Sequence, residues 1–108
     1  DRSTSDAATP VAEPMSTRAY VAARASRHGW TLRQWKCAVK LINRENSSWN
    51  VDAVNREGSS AYGLFQILHM KHGTPLWKQV NAFVAYIESR YADDPCAAWN
   101  HHLRKGWY

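Results

Sequence analysis

The stretch TLRQWKCAVKLINRENSSWNVDA, Thr31 to Ala53, changes character at a single residue. Its first half reads as an amphipathic helix. Thr31 followed by Gln34 is a capping box, in which the hydroxyl and the amide each satisfy a backbone group at the helix start. Trp30 and Trp35 occupy the flanking positions of a hydrophobic staple. Leu32, Trp35, Ala38, Val39 and Ile42 recur at helical spacing, so one face is predicted to be buried. Three residues beyond Ile42 stands Glu45, a carboxylate that continues the apolar face, and after it the chain turns polar. Burial disfavours the charged form of a carboxylate, which is the condition a general acid needs. A helix-end carboxylate paired with Arg44 or another arginine is the structural alternative.

Outward from this helix, the elements are short and well punctuated. Toward the N-terminus, the Ala-rich segment 18–28 is predicted to be a helix ended by Gly29. Residues 1–17, rich in Ser, Thr, Ala and Pro without apolar period, read as a flexible tail or linker. Toward the C-terminus, 50–60 reads as a loop or small hairpin, and 61–70 as a short helix entered from Ser59 and Ser60 and stopped by Gly73. Thr74 as N-cap and Pro75 at the first helical position open a second strong helix. Its stripe is Leu76, Val80, Phe83, Ile87 and Tyr91. Asp94 and Pro95 start a final short helix over 96–103. The expectation is one compact, mainly α domain over 18–108, with at most a small β-hairpin.

Composition narrows the classes. The chain has 108 residues, 44% of them hydrophobic, with six Trp and five Tyr as large packing units, enough for one modest core. No run reaches the length of a transmembrane helix, so no membrane insertion is expected. The sequence opens on Asp1 rather than Met, and a monomeric domain of a larger protein is the expectation. A net charge of +5, without any block of like charge, favours anionic partners without choosing among them.

Cys37 and Cys96 lie far apart, with neither a CxxC nor zinc-finger spacing. A disulfide between them would close a long loop and suits an exported protein or a virion component. Two buried free thiols are the alternative. His69 and His72 at helical spacing and the adjacent His101 and His102 lack an HExxH arrangement or a carboxylate at ligand spacing, so no metal and no cofactor is expected. A DNA-binding helix-turn-helix over 30–50 would need a second helix near Ser47, where Asn50-Val51-Asp52 reads as turn, and no nucleic acid partner is expected.

Glu45, Ala53-Val54-Asn55 and the run Ser60-Ala61-Tyr62-Gly63-Leu64-Phe65-Gln66-Ile67 carry a resemblance. Together they are similar to the core motifs of the lytic transglycosylase (SLT) family of the lysozyme superfamily. Ala98-Trp99-Asn100 echoes a later element of that family. The closing Tyr86-Ile87, Arg90-Tyr91, Pro95-Cys96 and Gly106-Trp107-Tyr108 resemble small actinobacterial and phage domains of the same kind. The resemblance covers about 35–108 and implies a lysozyme-like helical fold. It implies Glu45 as the catalytic acid and base, a sugar cleft shaped by Ser60, Tyr62, Gly63, Leu64 and Gln66, and an opposite wall including Trp99 and Asn100. It further implies cleavage of peptidoglycan glycan strands at the MurNAc-β-1,4-GlcNAc bond, closing a 1,6-anhydro ring, in an extracellular, cell-wall or virion setting. Two departures stand out: Asn46 where the family has Ser, and Trp49 one position late. Among possible sugar-stacking rings (Trp49, Tyr62, Trp99, Trp107, Tyr108), Tyr62 and Trp99 are favoured because they lie in motifs. Asp52 and Glu57 are the acidic residues between Glu45 and the Gly-Leu-Phe-Gln run; either would make a hydrolytic muramidase the alternative. A non-catalytic wall-binding or virion module is the alternative of another class.

Overall fold

A computed structural model describes residues 16–55 and 58–108. The expected tail therefore lies outside the described residues up to position 15, as does Glu57. The fold is mainly α, with four helices: α1 (Thr17–His28), α2 (Leu32–Glu45), α3 (Leu76–Tyr91) and α4 (Pro95–Lys105). No described helix is long and apolar enough to cross a membrane.

Each boundary has a local cause. Ser16 caps α1 by accepting from the Ala19 N–H, so the helix begins within the segment read as tail. Gly29, at φ 103°, closes it in the left-handed conformation that a side chain disfavours. The capping box at Thr31 and Gln34 is formed as the sequence predicts. Asp94 caps α4 by accepting from the Cys96 N–H. The α3 start departs from expectation. Pro75 is itself the cap, and the Thr74 hydroxyl donates to the Lys71 carbonyl instead of capping.

The core is an aromatic stack wrapped by aliphatic residues. Phe65 and Phe83 lie face to face at 4.2 Å, and Trp30 meets Phe83 edge-on. Leu41, Ile42, Leu64, Val80, Ile87 and Ala98 complete it, each at most 2% exposed. The buried face of α2 is rotated from the one predicted: Leu41 is buried and Leu32 is two-thirds exposed. At the far side, the Asp93 carboxylate accepts from Trp30 Nε1 and bonds His28 Nε2, fastening the end of α1 to the end of α3. Burial pushes that carboxyl up, but the hydrogen bonds from His28 and Trp30 and the His28 charge outweigh it and hold it below its ordinary value.

The described residues of 46–75, between α2 and α3, contain no helix. This removes the second helix that a helix-turn-helix would need, and it overturns the short helix expected over 61–70. Gly63, Gln66 and His69 all take positive φ, which an α-helix cannot include. Tyr62 instead pairs with Val54 on one side and Ile67 on the other as isolated antiparallel bridges. Two buried amides hold the loop. Asn46 Nδ2 donates to the Asn50 carbonyl at 2.7 Å, and its Oδ1 accepts from Ser48 and from the Asn50 N–H. Gln79, fully buried, accepts from the Leu64 N–H and donates to the carbonyls of Val51 and Thr74.

Cys37 on α2 is bonded to Cys96 on α4, a separation of 59 residues. Closing a loop of this length restricts the unfolded chain by about 4 kcal/mol on the chain-entropy account. Replacing both cysteines by serine is expected to lower stability by about that amount. Full denaturant titrations, each fitted with its own slope because the unbridged chain unfolds to a more expanded state, check it.

Candidate active site

α2 ends on Glu45, and its last turn places the carboxylate at the wall of an open cleft of about 600 Å³. Asn55, Ser59, Gln66 and Ile67 form one wall; Tyr86, Arg90, Trp107 and Tyr108 form the other. The carboxylate is only partly buried, its side chain 24% exposed. Burial alone, the property expected from periodicity, is therefore not what defines it. A second residue does.

His102, on α4 and 5% exposed, places Nε2 at 2.6 Å from Glu45 Oε2. Its other ring nitrogen, Nδ1, is buried without a hydrogen-bond partner among the described residues. An orphaned buried N–H is costlier than an orphaned lone pair, so this environment selects the tautomer with the proton on Nε2. In that tautomer the imidazole donates to Glu45 and fixes one carboxylate oxygen, Oε2. Trp99 and Tyr108 lie near-parallel to the ring of the pair's histidine, at 6.0 and 6.4 Å between centroids. The packing of α2 against α4, with the disulfide between them, brings the two residues together.

Tyr108 closes the floor. Its hydroxyl donates to the Phe65 carbonyl at 2.7 Å, and its own carbonyl accepts from the Tyr86 hydroxyl. Burial, the neighbouring Glu45 carboxylate and the phenols of Tyr86 and Tyr91 push the Tyr108 phenol well above its ordinary value. It therefore stays protonated and offers no base to the cleft. Trp107 is half exposed at the rim, with His101 against it at 4.4 Å and Arg90 over its face.

Of the acid and cleft residues that the resemblance implies, Glu45 and Gln66 reach this cleft, as do Trp107 and Tyr108 among the rings weighed for stacking. Gln66 uses Nε2 to donate to the carbonyls of Ala53 and Gly63, so it braces the wall. Ser60 is exposed on the outer side of the loop, its Oγ accepting from the His69 N–H. Tyr62 is buried, its hydroxyl donating to Asp52 and accepting from the Gly73 N–H while His72 stacks on its ring. Gly63 and Leu64 are interior. Trp99 and Asn100 border a different groove, beside Arg33, Lys36, Lys40 and the disulfide. Trp49 packs near Trp35 and under Arg18. The rings on the cleft are thus Trp107, Tyr108 and Tyr86, not the favoured Tyr62 and Trp99, because α4 turns Trp99 away while its C-terminal extension folds back over Phe65. Asn46, where the resemblance has Ser, organises the loop rather than the cleft, and Ser47 is exposed.

His102 and Arg90 were not singled out as site residues. The adjacent histidines 101–102 were the available signal, weighed only as metal ligands and set aside. Among the described residues, one group could share a cation: His28, Glu88 and Asp93. The Asp93 oxygen nearest His28 is already taken by Trp30 and His28, which makes this a fastening between helices. No family model matches the chain, and no curated protein or solved structure proved similar to it.

Proposed function

We propose that this domain cleaves peptidoglycan glycan strands by lytic transglycosylation at the MurNAc-β-1,4-GlcNAc bond. The observation that carries the reading is one cleft-wall carboxylate, Glu45, held on its inner oxygen by a buried imidazole and faced by an aromatic wall. It is the only carboxylate among the described residues lining that cleft. Two-carboxylate glycosidases need a second one roughly 5–9.5 Å away. Asp52 is engaged by the Tyr62 hydroxyl instead.

A single carboxylate serves both halves of the reaction. Glu45 Oε1–H protonates the glycosidic oxygen as the C1–O bond breaks. The carboxylate so formed takes the proton of the C6 hydroxyl as O6 bonds to C1, closing the 1,6-anhydro ring and regenerating the acid. Throughout, His102 Nε2–H donates to Oε2; the bond strengthens when Glu45 is ionised, which lowers the barrier to proton delivery. His102 does not touch substrate in this account, so it is a positioning residue. The stacking faces of Trp107 and Tyr86 and the positive net charge suit a polysaccharide in an anionic wall. The Cys37–Cys96 bond is compatible with an extracellular or virion setting.

Mass spectrometry of the fragments released from purified peptidoglycan tests the reaction. Ends lighter by one water are expected. Fully hydrated reducing ends would make this a hydrolytic muramidase, and no fragments at all would leave a wall-binding module. His102→Phe is expected to lower kcat by about ten- to a hundredfold with KM little changed, the worth of a hydrogen bond to a charged group. His102→Gln, whose amide can donate from the same place, is expected to recover most of it. Steady-state rates on solubilised strands check this; equal losses in both variants would mean the imidazole only fills space.

A further inference from the structure

The cleft beside Glu45 has one cation among its described lining residues, Arg90. It sits in the last turn of α3, exposed at the surface. Its guanidinium lies 5.5 Å from the ring centroid of Tyr86 and 5.5 Å from that of Trp107, and both rings belong to the same wall. Contact with ring faces uses none of the guanidinium's N–H donors. The ion pairs among the described residues all involve histidines, so no described carboxylate is paired with Arg90.

A guanidinium held on aromatic faces is pre-organised. Its fork points in one plane, with little left to lose on binding, and it matches the two oxygens of a carboxylate. Around it the cleft offers the apolar faces of Tyr86, Trp107 and Ile67 and the neutral Ser59 and Gln66. Such a site suits a sugar polymer that carries acidic substituents better than a neutral one.

We propose that Arg90 anchors a carboxylate carried by the substrate strand, an inference that rests on reading the cleft as glycan-cleaving. It selects muramoyl strands over neutral polymers of N-acetylglucosamine. Two carboxylate sources exist on such strands: the lactyl group, free where the peptide has been removed, and the acidic residues of the stem peptide.

Calorimetric binding to defined tetrasaccharides tests this in the Glu45→Gln background, where no strand is cut. The probes are a peptide-free muramoyl tetrasaccharide (lactyl carboxylates only), its peptide-bearing counterpart (stem carboxylates only) and neutral chitotetraose. Arg90→Met, which keeps an apolar stem over the two rings, is expected to weaken one acidic probe about ten- to a hundredfold. Chitotetraose should be unaffected, and the probe that suffers identifies the source. Arg90→Lys should recover only part, because an ammonium lacks the fork. Full recovery by lysine would overturn the bidentate arrangement. Chitotetraose bound as tightly as the acidic probes, equal binding by Arg90→Met, or no binding of any probe would overturn the proposal. Failure of the cleavage reading looks different: the wild-type protein would then cut no strand while Arg90-dependent binding persisted. Thermal melting of Arg90→Met within a few degrees of wild type confirms that the surface change leaves the fold in place.

Discussion

Glu45→Gln is expected to abolish strand cleavage, by at least about a thousandfold, while the protein stays folded and still binds peptidoglycan. General acid–base assistance contributes about a hundred- to ten-thousandfold. On the proposed mechanism the same group acts in both steps, so the loss falls in the upper part of that range. The substitution is nearly isosteric. The new amide carbonyl can accept the Nε2–H of His102 as Oε2 does at 2.6 Å, which keeps the ring and the α2–α4 contact in place. What disappears is the transferable proton on the other oxygen. Fragment release by mass spectrometry, sedimentation with insoluble wall and a thermal melt read the three properties separately. Cleavage at the wild-type rate would remove Glu45 from the chemistry. Loss of melting temperature together with cleavage would make the carboxylate structural.

Gly63→Ala is expected to cost about 5 kcal/mol, among the largest effects any small substitution can have on this chain. Gly63 lies at φ 86°, and a Cβ there would overlap the amide of Gln79. That amide cannot step aside freely. It is fully buried and serves the Leu64 N–H and the carbonyls of Val51 and Thr74 at once. Each buried backbone group left unsatisfied costs about 1–3 kcal/mol, with about 1 kcal/mol more for a non-glycine residue in the left-handed region. Small domains are stable by about 5–15 kcal/mol, so the loss removes about a third or more of the total. Denaturant titration measures it. A loss under about 2 kcal/mol would mean that Gln79 finds other partners and that the loop is held elsewhere.

These two sites also mark what a linear reading can and cannot reach. The helices were legible because their signals are local: the capping box at Thr31, Gly29 after α1, Asp94 before α4. Glu45 was legible because it interrupts a period that Ile42 belongs to. The loop over 61–70 was misread because Ala61, Leu64, Phe65 and Leu68 happen to suit helical spacing. What forbids a helix there is Gln79, whose amide claims the Leu64 N–H from more than a dozen residues away. The cleft wall was misassigned for a related reason. Trp99 and Trp107 are equally aromatic on paper, and only the direction of α4 and of the segment that follows Gly106 decides which one lines the cleft. His102 reaches Glu45 across 57 residues, a pairing that no local pattern announces.

The bond between Cys37 and Cys96 does more than shorten the unfolded chain. It joins the helix that ends in Glu45 to the helix that carries His102, with each of these residues lying downstream of its cysteine. A contact of 2.6 Å tolerates almost no sliding between those helices. On the proposed reading, oxidation is therefore a maturation step. A newly made, still reduced chain would carry every residue of a wall-cutting enzyme without their spacing, and would become dangerous to a cell wall only after leaving the reducing compartment that made it. The double-serine protein, assayed for cleavage well below its melting temperature, would show that latency as a folded domain with little activity.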